Sequence, residues 1–249
     1  MDKFFYQCKN HITKLVPNKN KELITCYLNF VSLGFKVINN DNLKSEIKLK
    51  KFDLLYRQIF KNCSLKDNVI YKLQKYFIAE NISLSLLSDM IKALKELSLK
   101  EQYQTWNKFI YCSQLFLSPI VRMIMVLNNL NASVYMPFMS VMMSWLMLET
   151  GEYKKIEEFQ NYSKLKYHLF YTDKIRGFLK EGKVSLQVVS NKVFRYKLCY
   201  LVSMLDVILE KFFKREKLKL SIVDLNKILF YSTLKWLFTR VKTLKIEGA

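Results

Sequence analysis

Five glycines and three prolines are the only strong chain breakers in 249 residues. A β-rich fold of this length needs many tight turns, and those turns draw on both residue types. Long helices joined by few loops need neither. The scarcity, beside abundant Leu, Lys, Ile and Phe, predicts an all-α protein. With 51% apolar and 25% charged residues the chain is neither disordered nor collagen-like. Its length suits one large domain or at most two smaller ones. No internal repeat or low-complexity linker marks a boundary, so a single domain over 1–249 is expected.

Apolar residues recur at helical spacing in several segments. VIYKLQKYFIAE carries Val69, Ile70, Leu73, Tyr76 and Phe77 on one stripe. ISLSLLSDMIKALKEL carries Leu87, Met90, Ile91, Leu94 and Leu97 on another, and Met204, Leu205, Ile208, Leu209 and Phe212 form a third. Ser221 and Asp224 resemble a capping box. The helix after them is expected to turn Leu225, Ile228, Leu229 and Leu237 inward.

Between Arg122 and Glu149 lie 26 residues without a formal charge, enough to cross a bilayer. Asn128, Asn129 and Asn131 cluster in the middle of that run, and Pro137 follows them. Such a cluster reads as a helix–loop–helix junction. The second half, Phe138 to Leu148, has the length of a buried core helix. Beyond it, Glu152, Glu157 and Glu158 alternate with Lys154 and Lys155 as a solvated segment would.

The net charge of +20 invites a polyanionic partner. Only six of the 41 basic residues are arginine, however, and bidentate contacts to guanine and phosphate usually draw on arginine. That disfavours nucleic acid and leaves a solvated lysine surface or an anionic membrane surface. KFFKREKLKL, from Lys211 to Leu220, mixes basic and apolar residues as interfacial segments do. A solvated helix end reads the same way. Cys8, Cys26, Cys63, Cys112 and Cys199 are odd in number and lack CxxC spacing, as buried thiols of a reducing compartment do. His11 and His168 are too few and too far apart in sequence for a zinc site. MDKFFYQCKNHITKLVPNK lacks the apolar core of a signal peptide. The expected location is cytoplasmic or peripheral on the inner face of a membrane, the mitochondrial matrix in a eukaryote. There is no P-loop, GxGxxG, nucleophile elbow or Ser/His/Asp grouping.

One segment carries more information. YQTWNKFIYCSQLFLSPIVRMIM begins at Tyr103 and presents Tyr103, Thr105, Trp106, Tyr111, Cys112, Pro119 and Arg122. It resembles a segment of the squalene/phytoene synthases, most closely the squalene synthases of hopanoid pathways. It departs from them at Phe116 and Leu117, which replace a small pair, and at Val121, which replaces a glycine. These swaps narrow a pocket that the family leaves open. LVPNKNKELITCYLNF and ENISLSLLSDMIKAL look like helices upstream of that segment. VILEKF and LKLSIVDLNKILFYSTLKW look like the C-terminal helices. The resemblance implies an isoprenoid-synthase-like helical bundle around a central cavity.

In that family two aspartate-rich motifs hold Mg²⁺ against the diphosphates of two prenyl substrates, which are joined head to head. Alignment on Tyr27 and Phe30 puts Phe35, Lys36 and Asn39 at the first motif. A lysine ~5 Å from Mg²⁺ would repel it by roughly 7 kcal/mol at an effective dielectric of about 20. The second motif becomes Trp145, Glu149 and Tyr153. Too few carboxylates remain, so no catalytic residue, no metal ligand and no cofactor is expected.

What the resemblance then implies is a degenerate member without prenyltransferase activity, acting as a binding or membrane-complex assembly factor. The alternative is an active prenyltransferase, using Mg²⁺ or holding phosphate on Lys36, Arg122, Lys154 and Lys155. Candidate substrate-binding residues are Lys36, Tyr111, Arg122, Trp145 and Glu149. Candidate partners are a prenyl diphosphate or other isoprenoid lipid, an anionic membrane surface, or membrane-complex subunits. Phe138, Met139, Met142, Met143 and Trp145 would either line a lipid cavity or pack a tight core.

Overall fold

The computed structural model describes residues 2–60, 69–99, 103–150, 156–159, 162–214 and 222–246. Among them are ten α-helices and no strand beyond one isolated bridge, so the protein is all-α. The chain gathers into two compact units: residues 1–127 with 155–158, and residues 128–154 with 159–249.

The first unit is built from α1 (Asp2–Leu15), α2 (Lys21–Ile38), α3 (Ser45–Phe60), α4 (Val69–Ala79), α5 (Ser85–Ser98) and α6 (Trp106–Leu127). Helix α2 packs against α1, α3, α4 and α5, and α5 packs against α6. The stripes at Ile70, Leu73 and Phe77 and at Leu87, Met90, Ile91 and Leu94 are buried, as the periodicity predicts. Helix ends expose carbonyls that need donors. The buried amide of Asn20 donates to the Leu127 carbonyl at 3.2 Å, closing the end of α6. Gln74 does the same for the carbonyls of Gln58 and Ile59 at the end of α3.

The start of α6 is held by a remote segment. Tyr103 and Ile156 form a parallel bridge, and the Glu158 amide donates to the Gln104 carbonyl at 3.1 Å. The Glu158 carboxylate then accepts from the Trp106 amide at 2.8 Å, placing negative charge on a helix N-terminus. Glu158 is exposed, as a solvated segment requires, but it also has this structural task. Pro119, inside α6, lacks the amide that would bond the carbonyl one turn back.

The second unit is built from α7 (Tyr135–Thr150), α8 (Lys164–Val188), α9 (Lys192–Phe213) and α10 (Ile222–Ile246). The uncharged run is broken as its asparagines predict. Helix α6 stops at Leu127, Asn129 takes a left-handed φ of 53°, and a short turn at Ala132–Val134 leads into α7. Helix α7 is apolar around its circumference and packs against α8 and α9. Phe138, Val141, Met142, Met143, Leu146 and Met147 are all fully buried. Its polar atoms are answered locally: Ser140 donates to Glu181 at 2.9 Å and Ser144 to the Ser140 carbonyl at 3.0 Å. The Tyr171 hydroxyl donates to the Met147 carbonyl at 2.9 Å. Asn191 starts α9 by accepting from the Phe194 amide at 3.0 Å, while its own amide donates to the Asn128 carbonyl.

One helical face is corrected. Ile228 is buried, but Leu225 and Leu229 are 41% and 49% exposed rather than inward. The inner face of α10 runs through Asp224, Ile228, Ser232 and Lys235. Two ion pairs to α9 set that rotation: Lys211 with Asp224 at 2.8 Å and Lys235 with Asp206 at 2.6 Å. The capping residue Ser221 and the side chain of Leu237 lie outside the described residues, as do Lys154, Lys155 and 215–220 of the basic segment.

By length and composition α6 is long and apolar enough to cross a membrane, and 61% of its most apolar window is buried. Buried thiols are seen at Cys112 and Cys199, whereas Cys26 is half-buried. Burial pushes the Cys199 thiol up to about 11.

Helix α8 offers a matched pair of glycines. A methyl group at Gly177 meets nothing within 4 Å. At Gly182 it meets the Val141 side chain, the Val141 amide nitrogen at 3.2 Å and the Pro137 carbonyl at 3.3 Å. Both substitutions gain about 1 kcal/mol of helix propensity, but only Gly182→Ala has to push the α7 backbone away. Gly177→Ala should therefore raise the urea midpoint and Gly182→Ala lower it. Midpoints moving the same way would contradict the close packing of α7 and α8.

Candidate functional site

In the first unit, α6 shows one outer stripe and one buried face. Lys108, Tyr111, Arg122 and Val126 lie on the exposed stripe, while Phe109, Cys112, Phe116, Leu117, Ile120 and Val121 are buried. Two of the candidate binding residues, Tyr111 and Arg122, thus share the outer stripe. They are eleven residues, about three turns, apart. Tyr111 is 52% exposed, and the Lys108 ammonium sits over its ring at 5.0 Å. Arg122 bonds Asp89 of α5 at 3.0 Å, and Lys92 approaches the same carboxylate at 3.8 Å.

Beneath that ion pair is Tyr27 of α2, fully buried, its hydroxyl without a hydrogen-bond partner. Burial drives the phenol well above its ordinary value. The Asp89 charge adds to the shift and the Arg122 charge opposes it. Tyr27, Asp89 and Arg122 bring α2, α5 and α6 into one polar cluster.

The residues aligned with the first metal motif are arranged quite differently. Phe35 is buried, with the Phe5 ring centroid at 5.6 Å on one side and the Phe116 ring edge-on at 5.5 Å on the other. Lys36 and Asn39 are exposed. A site built from an aromatic ring, an ammonium and an amide offers Mg²⁺ no carboxylate, so these residues do not fit the ion. Among the described residues no three His, Cys, Asp or Glu side chains converge as metal ligands would. Trp145 and Glu149 lie one turn apart on α7 in the second unit, with Trp145 fully buried.

The second unit contains a feature that the sequence reading missed. A cleft of about 520 Å³ opens between α8, α9 and α10. Arg176 and Lys183 line it from α8, Ser203 and Asp206 from α9, Lys214 from just past the end of α9, and Lys235 from α10. Asp206 is shared by two lysines, Lys183 at 3.1 Å and Lys235 at 2.6 Å. Arg176 lies over the Phe213 ring at 4.8 Å. Ser203 is buried, and its hydroxyl has no partner. A signal was present in the sequence: Ser203, Asp206, Glu210 and Lys214 recur at spacings of three or four residues, as one side of a helix does.

No protein-family model, curated protein or solved structure matches the chain.

The polar cluster of the first unit yields a prediction. Removing an unpaired buried hydroxyl breaks no bond and lifts a desolvation cost, so Tyr27→Phe should be neutral or stabilise by up to about 1 kcal/mol. Arg122→Ala removes an exposed ion pair, worth under about 1 kcal/mol. Urea unfolding of both variants checks this. A Tyr27→Phe loss well beyond that of Arg122→Ala would reveal an internal partner for the hydroxyl.

Proposed function

We propose that this chain is a degenerate relative of the squalene/phytoene synthases that acts by binding rather than by prenyl transfer. A membrane-complex assembly role is the form of binding that the resemblance favours. One observation carries the reading: the edge-on contact between Phe35 and Phe116. The alignment puts an aspartate at the first position and a small residue at the second. Both positions are aromatic here, and each ring is buried against the other. A metal-binding carboxylate and open space would have been lost together, which is what packing of a former site into core requires. Exposed Lys36 beside them adds repulsion toward any divalent cation. Fold-level analogy alone does not establish a role, so the reading rests on these positions.

Incubation of the protein with farnesyl diphosphate and Mg²⁺, followed by mass spectrometry, should give no C30 product. Affinity capture from the native source should instead recover specific membrane-complex subunits in stoichiometric amounts. Sizeable turnover that Lys36→Ala abolishes would replace this reading with the active prenyltransferase.

A further inference from the structure

Helix α10 is turned inside out. A surface helix normally buries its apolar side and gives its polar side to water. Here Asp224 and Ser232 are buried, and Asp224 and Lys235 are ion-paired to α9. Leu225, Leu229 and Phe230 are instead 41%, 49% and 61% exposed. The apolar surface continues onto the start of α9. Tyr196 meets Trp236 edge-on at 6.2 Å, and both Tyr196 and Val193 are exposed. Apolar side chains grouped on one outer side of a folded unit mark a docking surface.

Charge decides what covers it. Among the described side chains of α10, Lys227 carries the exposed charge, while Asp224, the one acid of the helix, is buried in its pair with Lys211. Lys214 is exposed one turn past Lys211, and Lys192 is exposed beside Val193, so cations stand at both ends of the apolar surface. In sequence, residues 214–246 hold nine Lys or Arg against two acids. A second copy of the chain would set one charge of +20 against another and be repelled. A bilayer with anionic headgroups suits both features. Its acyl boundary takes the apolar side chains and its headgroups take the cations. Tyr196 and Trp236, apolar in the ring and polar at one edge, fit the zone between.

We propose that the outer side of α10, with the start of α9, docks the protein on an anionic membrane surface. Leu225, Leu229 and Phe230 enter the acyl boundary, and Lys192, Lys214 and Lys227 lie among the headgroups. The inference stands on the second unit alone and does not depend on the absence of prenyl transfer.

The test floats the full chain with phosphatidylcholine vesicles and with vesicles of equal parts phosphatidylcholine and phosphatidylglycerol. Binding should need phosphatidylglycerol and should weaken as salt rises. Leu229→Ser combined with Phe230→Ser alters two exposed side chains, so the urea midpoint should stay with the parent's while binding falls about tenfold or more. Lys227→Gln should weaken binding about fivefold. Ile78→Ser alters an apolar side chain that is 74% exposed on α4 of the first unit, and should bind as the parent does. Sedimentation equilibrium without lipid reads the rival occupant. A dimer that the double variant dissociates would overturn the proposal. So would equal binding to both vesicle types, no binding to either, or equal binding by the parent and the double variant.

Discussion

A helix that is apolar on every side has no face to give to water, and α7 is such a helix. Burying a Phe, Leu or Met side chain is worth about 1.5–3 kcal/mol, so exposing even one flank of α7 would forfeit several such terms. Enclosure of α7 therefore dictates much of the second unit. Helices α8 and α9 must both reach it, and Gly182 is where α8 comes close enough for the α7 backbone to touch. Polar groups on the seam must then be answered without water. Ser140, Ser144 and Tyr171 each donate to a group at hand. The bonding is local because the core leaves no alternative.

In the first unit, aromatic packing occupies ground that a polar site would need. Phe5, Phe35 and Phe116 bring α1, α2 and α6 together in one chain of ring contacts. Edge-on aromatic pairs contribute about 0.5–1.5 kcal/mol beyond the area they bury. A carboxylate at position 35 would forfeit that and would need a charge partner in a dry setting. The same physics that stabilises this unit thus stands against metal chemistry at that point.

Periodicity made the helices legible because it reports a face, and faces at Leu73, Met90 and Leu205 are indeed buried. The break at Asn128–Asn131 was legible for a different reason, since asparagine tolerates the left-handed backbone found at Asn129. Helix α10 was misread because its apolar residues lie on two sides. The choice between those sides belongs to Asp224 and Lys235, whose partners Lys211 and Asp206 are distant in sequence. Of the candidate site, Arg122 was found through a likeness of pattern, yet its partner Asp89 lies 33 residues away on another helix. The cleft stayed hidden for the same reason. Lys183, Asp206 and Lys235 each look like ordinary surface charges until three helices bring them together.

Tyr27 and Ser203 each bury a hydroxyl without a hydrogen-bond partner, and their surroundings show why they should not be treated alike. Tyr27 lies under Asp89 and Arg122, whose opposite charges act on its phenol in opposite senses. Ser203 belongs to α9, beside the cleft where Lys183 and Lys235 both donate to Asp206. Low local dielectric raises the cost of an idle hydroxyl at either place. Tyr27 keeps a whole ring for packing once its hydroxyl is removed, whereas Ser203 has little side chain besides its hydroxyl. The desolvation cost is therefore separable from packing at Tyr27 and not at Ser203.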